Sequence, residues 1–170
     1  MAQRSIYRLD LRKFVQPESE LSLGYIIVRS PQVIDQEDLA RLMLDAYKGT
    51  IDDDGKTYED TLNKIRAYFA GERGGSARED CSKVYELRRK IVSACLVAEW
   101  SERQMPIIVD VMTDSEMKRQ GLARSLLFTT LRSLRDLEYS EVQAVITDGN
   151  IPSEKLFAQL GFERVAQPAD

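Results

Sequence analysis

The hydrophobic and polar positions in the first part of the chain predict two strands followed by two helices. Weak alternation predicts strands near Tyr7–Phe14 and Leu23–Arg29. Asp35 is a candidate cap for a helix from about Gln36 to Tyr47, because five apolar residues there would share one face: Leu39, Leu42, Met43, Ala46 and Tyr47. A second helix is predicted after Thr57, with a narrower apolar stripe: Leu62, Ile65, Phe69 and Ala70.

The middle of the chain predicts antiparallel strands. Lys83–Leu87, Ile91–Glu99 and Ile107–Thr113 are short, apolar and rich in β-branched residues, and Arg88–Lys90 would form the turn between the first two. The preceding segment, Gly71–Asp80, contains three glycines and little that could be buried, so we expect an exposed loop.

The last part of the chain predicts alternating helices and strands. A long helix should start at Gly121, followed by a strand at Val142–Ile146, a helix at about Pro152–Leu160 and a strand at Phe162–Val165. Gly161 stands where a left-handed residue would end the helix. A strand–helix–strand crossover of this kind makes its two strands parallel. We therefore expect an α/β (α+β) fold, with a mixed, mostly antiparallel sheet and about four helices, in a single domain over residues 1–170.

Composition limits the chemistry more than the fold. The 170 residues are 43% hydrophobic and 31% charged, with a net charge of −4, which is ordinary for one globular domain without a general attraction for nucleic acid or anionic membranes. Histidine is absent, which excludes Ser-His-Asp and Cys-His catalysis and histidine zinc sites. The two cysteines cannot form a four-thiolate site, and we predict two reduced thiols and no metal.

Targeting and membrane signals are not evident in the sequence. The first residues lack the apolar core of a signal peptide, and no apolar run reaches the length of a membrane span. We expect a soluble, cytoplasmic protein.

The residues after the strand at Ile107–Thr113 are suited to holding a phosphate group. Lys118-Arg-Gln-Gly-Leu-Ala123 places small residues where a helix begins, and the free N–H groups and dipole of a first helical turn favour an anion. Lys118, Arg119 and Arg124 add positive charge there. The dinucleotide and P-loop patterns are both absent. A plain strand-to-helix turn remains the alternative interpretation.

Two motifs together resemble the GNAT superfamily of N-acyltransferases. Lys118-x-x-Gly-x-Ala123 is similar to the acyl-CoA pyrophosphate loop of that family, Gln/Arg-x-x-Gly-x-Gly/Ala. Asn150-Ile-Pro-Ser-Glu-Lys-Leu-Phe-Ala-Gln-Leu-Gly-Phe162 is similar to its closing motif, Asn-x-x-Ala/Ser-x-x-Leu-Tyr-x-x-x-Gly-Phe. The resemblance is strong over Ile107–Val165 and rests on element order alone before that.

The resemblance implies transfer of an acetyl group from acetyl-CoA to a primary amine by direct attack. Two parallel strands, Ile107–Thr113 and Val142–Ile146, would splay apart around the pantetheine arm. Backbone groups of Val111 to Thr113 would bind that arm, and the N–H near Val111 would polarise the thioester carbonyl. Amides of Arg119 to Ala123 would hold the pyrophosphate. The implied binding residues are Val111, Met112, Thr113, Lys118, Arg119, Gln120, Gly121, Leu122, Ala123, Arg124, Asn150, Ser153 and Phe157.

Proton transfer is the least determined part of the implied mechanism. Phe157 stands where many family members have a tyrosine that protonates the leaving thiolate, and we interpret it as a core aromatic. Glu99 and Asp110 are candidate bases, and a solvated strand end is the alternative for Glu99. A carboxylate on a central strand, such as Asp110, indicates a partner, a buried water or the substrate. Strand alternation predicts that Asp110 faces opposite to both Val109 and Val111. The sequence does not rank Tyr25, Tyr47 and Tyr139 as candidates for proton transfer.

An acidic segment, Asp52–Asp60, is relevant to which kind of acceptor the protein would bind. It contains five carboxylates and one lysine, and it lies between the two early helices, a region that in this family covers the acceptor site. One hypothesis is that it attracts a cationic small-molecule or peptide amine; the alternative is a solvated loop with a helix cap. A non-catalytic acyl-CoA-binding module and an interaction domain without cofactor are the rival functions, and monomer or homodimer is left open.

Overall fold

The computed structural model describes residues 2–17 and 24–166 and contains four α-helices and eight strands within those ranges. The helices are α1 (Gln36–Tyr47), α2 (Tyr58–Phe69), α3 (Leu122–Asp136) and α4 (Ile151–Gln159). The strands are β1 (Arg4–Asp10), β2 (Ile27–Arg29), β3 (Ser76–Ala77), β4 (Lys83–Leu87), β5 (Lys90–Trp100), β6 (Met105–Thr113), β7 (Glu141–Thr147) and β8 (Glu163–Arg164).

One mixed sheet organises the described residues. Its strand order is β2-β4-β5-β6-β7-β1-β8, with β3 paired to β5, and only β6 and β7 run parallel. The apolar faces of α1 and α2 pack on one side against β4, β5 and β6, whereas α3 and Phe157 of α4 pack on the other side. The predicted mixed, mostly antiparallel fold is therefore confirmed, including the parallel pair.

Some predicted elements are shorter or differently capped than expected. The first strand ends at Asp10 and continues as a 3-10 turn over Leu11–Lys13, and the second covers only Ile27–Arg29, with Leu23 outside the described residues. Asp35 does stand before α1, but its side chain binds Arg29 at 2.7 and 2.9 Å instead of capping the helix. Tertiary pairing with a cation therefore replaces the local capping that the sequence pattern suggested.

The segment Gly71–Asp80 is largely exposed, as its composition predicted, but it is not only a loop. It contains β3, which pairs with β5, and its two arginines, Arg73 and Arg78, are only 27% and 24% exposed. A Cβ at Gly75 would lie 2.1 Å from the carbonyl oxygen of Glu99, so this glycine allows a close approach that other residues would prevent. Gly74 and Gly75 therefore let the backbone of this segment pack closely against the sheet.

The two parallel strands separate after a short contact. β6 and β7 pair only through Ile107–Gln143 and Ile108–Ala144. A bulge in β6 follows at once, because Ile108 pairs with Val97 while Asp110 pairs with Leu96, which leaves Val109 as the extra residue. The bulge bends β6 away from β7 and opens a gap in the middle of the sheet.

Within residues 2–17 and 24–166, no helix combines the length and hydropathy needed to cross a membrane.

Candidate functional site

The edge of β6 that faces the gap carries free backbone groups at alternate residues. The amide of Asp114 donates to the carbonyl of Val92 at 2.8 Å, and bonded and non-bonded pairs alternate along an antiparallel ladder. Counting back along the register, Met112 is bonded to β5, whereas Val111 and Thr113 direct their N–H and C=O groups away from it. The described part of β7 does not pair with these two residues. Of the three residues whose backbone groups were expected to bind the pantetheine arm, Val111 to Thr113, only Val111 and Thr113 face the gap.

A helix start lies at one end of this edge. Arg119 and Gly121 both have positive φ angles, 64° and 82°, so the loop turns its amides inward before α3 begins at Leu122. The amides of Leu122, Ala123 and Arg124 have no carbonyl partner within the helix, and its first turn contains no acidic residue. Such a turn presents several N–H groups to an anion, as the sequence predicted.

The basic side chains around this loop do not all face the anion site. The ammonium of Lys118 donates to the carbonyl of Ala46 at the end of α1, at 2.6 Å, so it ties the loop to that helix. The guanidinium of Arg124 stacks over Phe128, with 5.5 Å between Cζ and the ring centre. Arg119 and Gln120 are exposed. An anion at this loop would therefore meet backbone N–H groups more than these side-chain charges.

Two cavities meet beside Val111. The larger cavity, about 600 Å³, runs from the loop at Lys118–Arg124 along Val111 and Thr113 of β6 to the start of α4, and its volume suits a small-molecule site. The smaller cavity, about 130 Å³, lies on the side of α1 and α2. They share six residues: Tyr47, Asp52, Val111, Asn150, Ser153 and Phe157. Groups entering from the two sides would meet at this shared wall.

Asn150 and Ser153 belong to a hydrogen-bonded corner at the start of α4. The side-chain oxygen of Asn150 accepts from the amide of Ser153 at 3.2 Å, and its Nδ2 donates to Asp52 at 2.8 Å. The same carboxylate accepts from the hydroxyl of Thr147 at 2.6 Å. Asp52 therefore anchors the α1–α2 loop to the end of β7. The amide of Asn150, predicted to contact pantetheine, already has partners within the protein.

Asp110 lies at the smaller cavity and is held by two neighbours. Its carboxylate accepts from both terminal nitrogens of Arg73 and from the hydroxyl of Tyr47, and its side chain is 3% exposed. Burial and the nearby carboxylate raise the pKa of Tyr47 well above its usual value. The predicted alternation is wrong at one position, because the bulge brings Val109 to the same face as Asp110. Asp110 thus has partners within the protein, which is one of the explanations that the sequence left open.

Glu99, the other candidate base, lies on the opposite face of the sheet. It binds Arg78 at 2.6 Å and accepts from the hydroxyl of Tyr139, which packs beside α3. Glu99 lines neither cavity. It is not a free solvated strand end either, since its side chain is 17% exposed. Tyr139 is placed with it, and Tyr25 is 88% exposed, which leaves Tyr47 as the tyrosine at the cavities.

Phe157 is both a core residue and part of the shared wall. It is 4% exposed and packs edge-to-face on Phe162, with ring centres 4.9 Å apart. The two cysteines, Cys81 and Cys95, are free and buried, and burial raises the pKa of each thiol to about 12. Neither thiol is a nucleophile at neutral pH.

The sequence did not identify Arg73 and Lys64 as site residues. Both line the smaller cavity, Arg73 from the segment that docks through Gly74 and Gly75, and Lys64 from α2. The glycine pair was the available signal for Arg73, because it marks a close approach of the backbone. The sequence contained no comparable signal for Lys64, which is one polar residue on a predicted helix with a narrow apolar stripe.

Comparison with known proteins places this site in context. The family model described as FR47-like protein matches residues 85–168, from β4 through the gap, the loop and α4. "N-acetyltransferase 8" of Homo sapiens is 30% identical over 112 residues, which is 62% of this chain and 46% of that protein. The chain therefore spans about half the length of this curated relative.

Solved structures share the fold at low sequence identity. A GCN5-related N-acetyltransferase from Sphaerobacter thermophilus superimposes with a TM-score of 0.69 at 15% identity, over 95% of this chain and 48% of that one. The diaminobutyrate acetyltransferase of Paenibacillus lautus, solved with its substrate and coenzyme A, gives 0.55 at 16% identity, over 79% and 73%. At such identities the likeness concerns the fold alone.

Proposed function

Because this chain has the GNAT fold, we propose that it transfers an acetyl group from acetyl-CoA to a primary amine. The observation that carries the proposal is the free edge of β6 at Val111 and Thr113, which leads from the cradle at α3 to the smaller cavity. A pantetheine arm has amide groups that such an edge can pair with, as an added strand would. The larger cavity is the site for the coenzyme and the smaller one the site for the acceptor.

Each end of the larger cavity fits one part of the coenzyme. The amides of Leu122, Ala123 and Arg124 would hold the pyrophosphate. The N–H of Val111 would hold the carbonyl oxygen as it gains negative charge. When bound, acetyl-CoA supplies the acyl group and a thiolate leaving group. Leu156 and Phe157 of α4 border the same space with apolar surface, which limits the access of water.

The ionisable side chains of the site support direct attack by a neutral amine. The buried thiols are not nucleophilic, and Asp110 is committed to Arg73 and Tyr47. A base role for Asp110 or Glu99 stays a prediction, and the geometry favours an anchoring role for both. Tyr47 keeps its proton at neutral pH because its pKa is raised, and it donates that proton in a hydrogen bond to Asp110.

A non-catalytic acyl-CoA-binding module is the second candidate. Phe157 favours it, because a phenyl ring at the shared wall cannot donate a proton to a thiolate. A thiolate of coenzyme A can leave without that help, which is why transfer remains the leading proposal.

Release of free thiol from acetyl-CoA separates the candidates. We expect the wild-type chain to bind coenzyme A by calorimetry and to release thiol only when an amine is present. Binding without release for every amine in a panel of amino acids, polyamines, aminoglycosides and peptides would favour the binding module. Absence of coenzyme A binding would overturn the cofactor assignment itself.

A further inference from the structure

We propose that the acceptor carries a carboxylate as well as its amine, and that Lys64 in the smaller cavity binds this carboxylate. The inference rests on the proposed function, because it concerns the acceptor of that reaction. It follows from the charges that line the cavity, from their existing partners and from the position of Lys64 relative to Val111.

The three acidic side chains that line the smaller cavity are already used within the protein. Asp52 accepts from Thr147 and Asn150. Asp110 accepts from Arg73 and Tyr47. Asp54 is paired with Lys56. A cationic acceptor would find these carboxylates compensated.

The cations of the same cavity are compensated less completely. Arg73 is paired with Asp110, but Lys64 and Arg4 form no ion pair with any carboxylate among the described residues. Lys64 is partly buried on α2, whereas Arg4 is exposed at the start of β1. Lys64 is therefore a partly desolvated ammonium that faces a cavity and shares the influence of its one nearby carboxylate, Asp54, with Lys56, which holds that carboxylate in an ion pair.

The neighbours of Lys64 make an incoming anion favourable. Lys56 and Asp54 face it from the α1–α2 loop, and Arg73, backed by Asp110, faces it from the segment after α2. Burial, Lys56 and Arg73 lower the pKa of Lys64 to about 8, and Asp54 opposes this only in part. A bound carboxylate would offset the repulsion between these cations and would raise the pKa of Lys64.

The position of Lys64 also fits a ligand with two functional groups. Lys64 and Val111 line the same cavity, one on α2 and the other at the free edge of β6. An acceptor bound by its carboxylate at Lys64 can direct its amine toward Val111, where the thioester carbonyl would lie. The cavity volume of about 130 Å³ suits a small amino acid better than a peptide.

Matched acceptors and matched variants test the proposal. The acceptors are a small amino acid, its carboxamide and the corresponding amine without a carboxyl group, compared at equal concentrations of the neutral amine form. The variants are Lys64→Gln, the charge-conserving Lys64→Arg, and Lys155→Gln as a control, since Lys155 is exposed on α4 and lines neither cavity.

We expect wild type to use the amino acid with kcat/KM at least about tenfold above the carboxamide, as one charge-assisted contact allows. Lys64→Gln should raise KM for the amino acid by a similar factor and leave KM for the carboxamide unchanged. Lys64→Arg and Lys155→Gln should retain the preference. For wild type, KM for the amino acid should rise as pH passes about 8, because Lys64 loses its proton there, and Lys64→Arg should lack this rise.

The outcomes separate this proposal from the one beneath it. Thiol release with equal kcat/KM for acid and carboxamide, or an unchanged KM in Lys64→Gln, would overturn the carboxylate assignment and leave acetyl transfer standing. Absence of thiol release with every amine would overturn acetyl transfer and the acceptor class together.

Discussion

Asp110 and Arg73 form the contact at the site in which a single substitution should matter most. Their side chains are 3% and 27% exposed, so the pair is shielded from water on most sides. Burial lowers the pKa of Arg73 while the carboxylate raises it, and the net effect is a raised value, so the guanidinium stays charged. Removing one partner would leave an uncompensated charge in a desolvated position, which costs more than the pair itself contributes.

We predict that Asp110→Asn acts mainly on stability. It should lower the free energy of unfolding by about 3 kcal/mol, because Arg73 loses its counter-ion and Tyr47 loses a charged acceptor. Thermal and urea unfolding measure this. Asp80→Asn is the matched control: its carboxylate binds Arg78 but is 53% exposed, so its loss should cost less than about 1 kcal/mol.

A different result for Asp110→Asn would restore the hypothesis of a catalytic base. Wild-type stability together with a large loss of kcat and a missing acid limb in the pH–rate profile would mean that Asp110 takes the proton of the amine. The double variant Asp110→Asn/Arg73→Gln adds a further check, because it should recover part of the lost stability if the anchoring interpretation holds.

At the scale of helices and strands, the sequence predicted periodic elements well and tertiary contacts poorly. The stripes of α1 and α3 identified their buried faces, because i, i+3, i+4 spacing is a local property. The packing of the segment Gly71–Asp80 against the sheet was missed, because it contains few apolar residues to signal burial. Its two arginines are partly buried through ion pairs with carboxylates that lie far away along the chain. The bulge at Val109 was missed because strand alternation by itself assumes a regular ladder.

The candidate site shows the same division. The loop before α3 was predicted correctly as a helix start, with Gly121 as the N-cap in front of Leu122, and Gly161 has the positive φ angle that was predicted for it, since glycine pattern and helix onset can be recognised locally. The partners of Lys118, Asn150 and Asp110 were not readable, because each lies far away along the chain. Recognition of the fold came from two motifs, whereas the charges of the acceptor cavity required the folded arrangement.

The start of α3 provides a test at the scale of one element. Ala123→Glu puts a carboxylate in the first turn, where it favours the helix dipole but repels a pyrophosphate. We predict a loss of coenzyme A affinity of at least about 1.4 kcal/mol, or tenfold in Kd, with no loss of thermal stability. Calorimetry measures the affinity. Ala123→Gln supplies similar bulk without charge and should lose less, and equal losses in both variants would indicate that only space matters there.

At the scale of the whole molecule, the net charge of −4 does not describe the acceptor side. The acidic segment Asp52–Asp60 accounts for that value by count, yet its carboxylates serve the fold. Asp52 anchors the loop, Asp53 accepts from the amides of Gly49 and Gly55, and Asp60 forms a capping box with Thr57. The interpretation as a loop with a helix cap is favoured for these three, whereas Asp54 and Glu59 pair with the side chains of Lys56 and Arg66.

Asp54 and Glu59 therefore form a matched pair for the electrostatics of acceptor entry. Asp54 lines the smaller cavity next to Lys56 and Lys64, whereas Glu59 lies outside it beside Arg66. Each variant, Asp54→Asn and Glu59→Gln, removes one negative charge from the same segment. If the whole segment attracts a cationic amine, both should raise its KM at low salt, because attraction at long range depends on total charge.

The arrangement of charges around Lys64 predicts that KM changes in the opposite direction for Asp54→Asn. Asp54→Asn should lower KM for a carboxylate-bearing amine, because Lys56 and Lys64 lose the one carboxylate that opposes them, and Glu59→Gln should have little effect. Attraction by the whole segment should fade near 0.15 M salt, where the Debye length is about 8 Å, whereas the local effect of Asp54 on its two neighbouring lysines should be screened much less. Both effects should appear in KM, since attraction of the free substrate does not distinguish the transition state. KM measured at low and high salt decides between the two. A higher KM in both variants would show that the segment gathers cations as a whole.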